Sequence, residues 1–277
     1  MNQNERLTYL VKYLLEEKKI DIDIPQNHDE LFQLYRSFVN IREANPISQE
    51  FLNVQDFMLK EENKRKGIVS FDHMKEQIVI WKGDITRLKV DAIVNAANNQ
   101  MEGCFVPGHN CIDNAIHTFA GVQLRNECHD MMKKQSFLEP TGKAKITQAY
   151  NLPCQYVLHT VGPIIRDRVT EKDELLLASC YESCLKLAEK YHLKTVAFCC
   201  ISTGVFHFPN EQAAKIAIKT VKNYLKNSKI EKVIFNVFKD EDQMIYERSL
   251  NNNKQKLILV IMKLGKNYHK KTTFVKI

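Results

Sequence analysis

The sequence predicts an α/β protein with an N-terminal helical extension, and three observations carry that reading. Between residues 78 and 238, short apolar runs rich in β-branched residues alternate with segments of helical period. Those runs are continuous in apolar character, as expected of strands covered on both faces of a sheet. The first 66 residues, in contrast, show only helical spacing.

In the extension, Leu7, Leu10, Val11, Leu14 and Leu15 fall on one helical face, as do Leu31, Leu34, Tyr35 and Phe38. Asn27 with Glu30 makes a start resembling a capping box. The charged run EENKRKG, 61 to 67, reads equally as a linker or as a solvated helix end. Strands are expected at IVIW (78–81), AIV (92–94), YVLHTV (156–161), TVAF (195–198) and VIFNVF (233–238), with helices over 173–191 and 210–227. In such sheets ligands sit at the carboxyl ends of the strands. The expected division is a helical extension over 1–66, an α/β domain over 67–250 and a basic, loosely ordered tail over 251–277.

At 277 residues and 44% hydrophobic, the chain can bury the core of one large domain plus an extension. The net charge of +7 suggests a polyanionic partner, but seven Lys and no acid lie in 251–277, which leaves 33 basic against 33 acidic groups in the rest. A balanced surface lacks the field that binding a phosphate backbone needs, so no nucleic-acid partner is expected. The apolar run LILVIM, 257–262, is far short of the ~20 residues of a bilayer span, so no membrane span is expected, and a membrane-surface or partner-binding role for the Lys-rich tail is the lesser alternative to a loose appendage. The N-terminus lacks the pattern of a secretory signal, which points to the cytoplasm and to reduced thiols. Clusters among the eight cysteines therefore read as metal or catalytic groups before disulfides.

The stretch GCFVPGHNCID, 103–113, holds Cys104, His109 and Cys111. Two thiolates and an imidazole suit Zn²⁺, and three protein ligands leave a fourth tetrahedral position open. The spacing is not that of a zinc finger, so a phosphate-cradling turn and a plain connection with incidental cysteines stay open. Cys111 precedes an apparent helix start at Ile112, where the helix dipole is expected to lower a thiol pKa. Cys128, Cys154, Cys180, Cys184, Cys199 and Cys200 read as structural, and His117 and His159 as satisfied core histidines. A second candidate is CISTGVFHFP, 200–209, where a strand runs into a Gly-containing loop and Pro209 opens a helix. Such a corner offers free N–H groups to a diphosphate.

Three motifs in order, GDITRLKVDAIVNAANN (83–99), PTGKAKITQAYNLPCQYVLHTVGP (140–163) and ISTGVFHFP (201–209), resemble the macrodomains that bind ADP-ribose. The resemblance covers residues 78–250 and implies a three-layer α/β/α fold with a mixed, mostly parallel sheet. GCFVPGHNC replaces the shorter Gly-rich run usual in macrodomain hydrolases. This is similar to the zinc-dependent bacterial subfamily associated with sirtuin M systems, whose members also carry a helical N-terminal extension. By that resemblance Asp84 accepts from the adenine amino group and Ile85 adds backbone contacts, with turn capping as Asp84's plainer role. Asn95 and Asn98 lie near the distal ribose, or only tie down their loop. Ser202, Thr203, Gly204, Val205 and Phe206 form the diphosphate loop, although His207 stands where relatives usually have Gly. Phe238 matches an aromatic position near adenine, with a core role on the last strand as the alternative.

The resemblance implies a zinc-dependent hydrolase, with Cys104, His109 and Cys111 as metal ligands, that removes mono-ADP-ribose from an ester-linked acidic side chain of a modified protein. Asp113, with Asn98, is the candidate catalytic residue, and a helix N-terminal acid is Asp113's plainer role. The partners implied are ADP-ribose and a mono-ADP-ribosylated protein, on family grounds a lipoyl carrier similar to the glycine-cleavage H component. An ADP-ribose reader with a structural zinc and a hydrolase of free ADP-ribose derivatives are the alternatives.

Overall fold

The computed structural model describes residues 1–251; the basic tail lies outside the described residues, except for Asn251. Helices α1 (Gln3–Lys18), α2 (His28–Ile41) and α3 (Gln49–Arg65) form the extension. Each begins on a side-chain cap from Asn2, Asn27 or Ser48, which satisfies N–H groups the helix itself leaves unpaired. The run 61–67 is thus mostly the end of α3, not a linker, and the chain turns out of it at Gly67 with φ +80°.

The expected leucine stripes meet inside this bundle. Leu7, Leu10, Leu14, Leu31, Tyr35, Phe51 and Met58 pack into one core that extends onto Val122 and Phe119 of the α/β domain. Burying each such aliphatic side chain is worth roughly 1.5–3 kcal/mol, and the shared core fixes the extension to the domain. Polar contacts lace the same seam: Asn63 Nδ2 donates to the Asn151 carbonyl at 2.7 Å, and Gln55 Nε2 to Gln123 Oε1 at 2.7 Å.

The remaining elements are β1 (Ile78–Lys82), β2 (Ala92–Ala96), α4 (Ile112–Ala120), α5 (Val122–Gln135), β3 (Ala144–Gln148), β4 (Tyr156–Thr160), α6 (Glu171–Lys190), β5 (Thr195–Phe198), α7 (Asn210–Leu225) and β6 (Lys232–Val237). The sheet order is β1-β6-β5-β2-β4-β3, parallel throughout except for β3 against β4. This is the three-layer, mostly parallel arrangement expected, with α4 and α5 packed on the sheet apart from the α6–α7 pair. Val94, Val157, Val196 and Ile234 are fully buried, which accounts for the continuous apolar runs.

β3 has no counterpart among the expected strands. Its sequence AKITQ is only partly apolar because it forms the antiparallel edge, and all its residues but Thr147 keep some exposure. A helical run from 240 to 251 closes the described residues. Among them no helix is long and apolar enough to cross a membrane.

Candidate active site

A cavity of about 550 Å³ opens at the carboxyl ends of β2, β5 and β6. Residues of the loop 103–113 form one wall and residues 202–206 another, with Ala96, Cys199, Cys200 and Asn236 between them.

In the first wall, Cys104 Sγ stands 3.5 Å from His109 Nδ1, and these atoms with Cys111 Sγ all lie within 4.8 Å of one another. Gly103 lets the loop double back: its φ is +84°, and a Cβ there would lie 2.8 Å from the His117 ring. Asn98 Nδ2 donates to the Gly103 carbonyl at 3.0 Å, while Asn98 Oδ1 accepts from the amides of Gln100 and Met101 at 3.0 Å each. Asn98 lines the cavity, and these three bonds engage its amide in shaping the loop. Cys111 caps α4, its Sγ accepting from Asn114 N at 3.4 Å. The expected lowering of its thiol pKa is reversed. Burial pushes it up to about 12, and the adjacent Cys104 adds to the rise, against the smaller effect of the Asn114 N–H. Three soft donors open to the cavity can hold a divalent ion and leave it a free coordination position.

Asp113 also lines this wall and is nearly fully buried. Its Oδ1 accepts from Asn95 Nδ2 at 2.8 Å, and the same amide lies 3.2 Å from His159 Nδ1. Asn95 is therefore behind Asp113, fully buried and outside the cavity lining. Burial raises the Asp113 pKa to about 6, although Asn95 and the charge of Arg125 pull it down. With His159 Nδ1 accepting, its Nε2 carries the proton and donates to Thr147 Oγ1 at 2.9 Å. His117 departs from expectation: both ring nitrogens are buried without a hydrogen-bond partner, and Nε2 is 3.6 Å from Asp113 Oδ1. His117, Cys128 and His159 also gather their donor atoms within 4.8 Å. That group is a poor metal site, because His159 Nε2 is already a donor and burial holds the Cys128 thiol well above its usual range.

The second wall is braced by its own main chain. His207 N donates to the Gly204 carbonyl at 3.0 Å, Phe208 N to that of Ser202 at 3.0 Å, and Ile165 N to that of Phe206 at 2.8 Å. The N–H groups of Gly204, Val205 and Phe206 are left without partners among the described residues, and Ser202 Oγ is buried and unpaired. Successive free N–H groups make an anion-binding concavity. Ser202 and His207 hold φ of +66° and +58°, so His207 takes the left-handed turn that Gly usually supplies. Pro209 is the cap before α7, one position earlier than expected.

The Macro domain family matches residues 94–217. A protein-ADP-ribose hydrolase of Treponema medium is 49% identical over 261 residues, 91% of this chain and all of the relative. The chain belongs to the macrodomain family. The Oceanobacillus iheyensis macrodomain with ADP superposes with a TM-score of 0.61 at 34% identity, covering 67% of this chain and 96% of that one. The Trypanosoma brucei macrodomain in complex with ADP-ribose gives 0.60 at 28% identity, covering 78% and 94%.

In this macrodomain Asp84 and Ile85 do not line the cavity. Asp84 Oδ1 accepts from Thr86 N at 2.9 Å and Thr86 Oγ1 at 2.7 Å, and Lys66 Nζ lies 2.7 Å from Oδ2. Burial would raise the Asp84 pKa, but Lys66 and Thr86 outweigh it and hold it below the usual range. Asp84 thus acts as the capping acid of its corner, neutralised by a lysine from the end of α3, and the Ile85 side chain is in the core. Phe238 lies just beyond β6, is 77% exposed and lines the cavity, which removes the core alternative.

Arg36, Asn40, Asn114 and Arg125, which hold the 103–113 loop from behind, carry no motif. The one signal was compositional: Asn40 adjoins Phe38 and Val39 in the buried part of α2. Arg125 Nε donates to the Glu102 carbonyl at 2.7 Å, and its guanidinium carbon stands 4.2 Å from the centre of the Phe105 ring.

Proposed function

We propose that this macrodomain hydrolase removes mono-ADP-ribose from an ester-linked acidic side chain of a modified protein, with Zn²⁺ held by Cys104, His109 and Cys111. One observation carries the reading: three soft donors and a buried carboxylate meet on one wall of a cavity that also presents three free amides. The donor set fits zinc by its chemistry. Burial above all makes the Cys111 thiol resist ionisation, and a divalent cation would offset that cost. When bound, zinc would supply Lewis acidity and orientation for a ribose hydroxyl or a water.

The chain's own residues supply the rest. The amides of Gly204, Val205 and Phe206 take the diphosphate, Phe206 packs on the distal ribose, and exposed Phe238 offers its face to the base. Fixing the substrate at these points leaves the anomeric carbon beside Asp113. Asp113, held by Asn95, orients the ribose or accepts a proton from water. A carboxylate leaving group needs little further help.

The T. medium relative's name and the ADP-ribose in the T. brucei structure support the substrate class. The carrier to test first is a lipoyl-carrier protein of the H-like kind, and eight free thiols suit a cytoplasmic setting.

Release of label from an ester-linked mono-ADP-ribosylated protein, with and without a chelator, tests the proposal. Turnover is expected in the parent chain and a loss of at least about 10²-fold in Cys104→Ala, His109→Ala and Cys111→Ala. Full turnover in all three variants overturns the zinc mechanism. Tight ADP-ribose binding without turnover by the parent overturns the hydrolase reading for this linkage.

A further inference from the structure

The loop that carries the three donors makes little structure for itself, its one internal backbone bond being His109 N to the Val106 carbonyl at 3.2 Å. Its back is instead held by polar side chains of α2 and α4. Arg36 Nη2 donates to the His109 carbonyl at 3.0 Å, and its Nε and Nη2 donate to Asn114 Oδ1 at 3.2 and 2.9 Å. Asn40, 1% exposed, accepts on Oδ1 from Gly108 N and Asn114 Nδ2, both at 2.9 Å, and donates to Thr118 Oγ1 at 3.0 Å. Asn114 Nδ2 also donates to the Val106 carbonyl at 2.9 Å, and Asn114 N to Cys111 Sγ at 3.4 Å. These three residues thus touch the backbone on both sides of the His109 imidazole and the sulfur of Cys111. Neither Arg36 nor Asn40 lines the cavity.

The placement is more specific than docking requires. The extension is already joined to the domain by an apolar core, in which Phe32 stacks on Phe119 with centroids 5.6 Å apart. The hydrogen bonds of Arg36 go to the 103–113 loop and to Asn114, and those of Asn40 to the same two places and to Thr118.

We infer that the helical extension is a working part of the metal site: Arg36 and Asn40, acting through Asn114, are positioning residues that hold Cys104, His109 and Cys111 converged before an ion binds. The consequence for zinc rests on the proposed function, whereas the clamp on the loop does not. A pre-ordered site loses less conformational freedom on binding, and residues that orient ligands from behind are typically worth 10–100-fold in metal affinity.

The test uses the full chain as parent, Arg36→Gln, Arg36→Lys, Asn40→Leu and, as a control, Leu15→Ala. Leu15→Ala weakens the core of the extension without touching the loop. Two quantities are read: the rate of zinc transfer to a chromophoric chelator, and amide exchange at Gly108 in metal-free protein. Transfer is expected to be about tenfold or more faster in Arg36→Gln and Asn40→Leu, intermediate in Arg36→Lys, and unchanged in Leu15→Ala. Gly108 should exchange faster in the same order. Unchanged transfer in both Arg36→Gln and Asn40→Leu, or equal acceleration in Leu15→Ala, overturns the proposal. A parent that retains neither Zn²⁺ nor Co²⁺ overturns the metal reading instead, and Gly108 exchange then decides the clamp alone: exchange at the parent rate in both variants overturns it.

Discussion

The two walls of the cavity are loops built in opposite ways. Residues 202–206 are braced by main-chain bonds from 207, 208 and 165, so their shape is largely a property of the local backbone. Residues 103–111 depend on side chains from α2, α4 and α5, some more than 60 residues away in sequence. A wall of free amides serves a ligand of fixed chemistry and needs no outside help. A wall that must bring two thiols and an imidazole together works against desolvation and mutual repulsion, and needs an external frame.

Removal of metal should separate the walls most sharply. With a chelator, turnover is expected to fall by about 10²-fold or more, while the dissociation constant for ADP-ribose stays within about threefold, because the amide wall holds no metal donor. Kinetics and calorimetry on one preparation would check both. A parallel loss of binding and turnover would mean the two walls form as one unit. Asp113→Asn asks the same question of the carboxylate. It keeps the side-chain shape but removes charge and basicity, so kcat should drop by about 10²–10⁴-fold with ADP-ribose binding retained.

A matched pair of glycine substitutions compares the walls by stability. Gly103→Ala places a Cβ 2.8 Å from the buried His117 ring at φ +84°, and should cost about 2 kcal/mol or more. A Cβ at Gly204 meets nothing within 4 Å, so Gly204→Ala should change stability by less than about 0.5 kcal/mol. Urea denaturation of the two variants measures the difference. Equal costs would show that the two loops are framed alike.

The same contrast explains what the sequence made legible. Strands β2, β4, β5 and β6 announce themselves because their burial on both faces demands unbroken apolar runs; at the two edges only Val79 of β1 and Thr147 of β3 are buried, and β1 is legible because it keeps the apolar run IVIW whereas β3 mixes polar residues into AKITQ. Cys104, His109 and Cys111 are close in sequence and meet in space, and the 202–206 loop lines the cavity as its local pattern suggests. Asn95 and Asp84 occupy motif positions, yet their hydrogen bonds go to Asp113 and to Lys66 with Thr86. Which partner a polar side chain finds depends on packing that no local pattern records. Arg36 and Asn40 illustrate the limit, being ordinary helix residues until α2 is laid against the loop.

The smallest expected effect concerns the one place where the self-braced wall breaks its own rule. His207 holds φ +58°, a conformation that costs a residue with a Cβ roughly 1–2 kcal/mol and costs Gly almost nothing. Gly in turn loses more backbone freedom on folding, by roughly 0.5–1 kcal/mol, so the two terms of His207→Gly nearly cancel. Stability should therefore shift by less than about 1 kcal/mol, and ADP-ribose affinity should hold, since the backbone bond from 207 N to the Gly204 carbonyl needs no side chain. If affinity instead falls tenfold with stability unchanged, the imidazole itself takes part in binding. The amide wall would then rely on side chains too, and the contrast with 103–111 would narrow to a difference of degree.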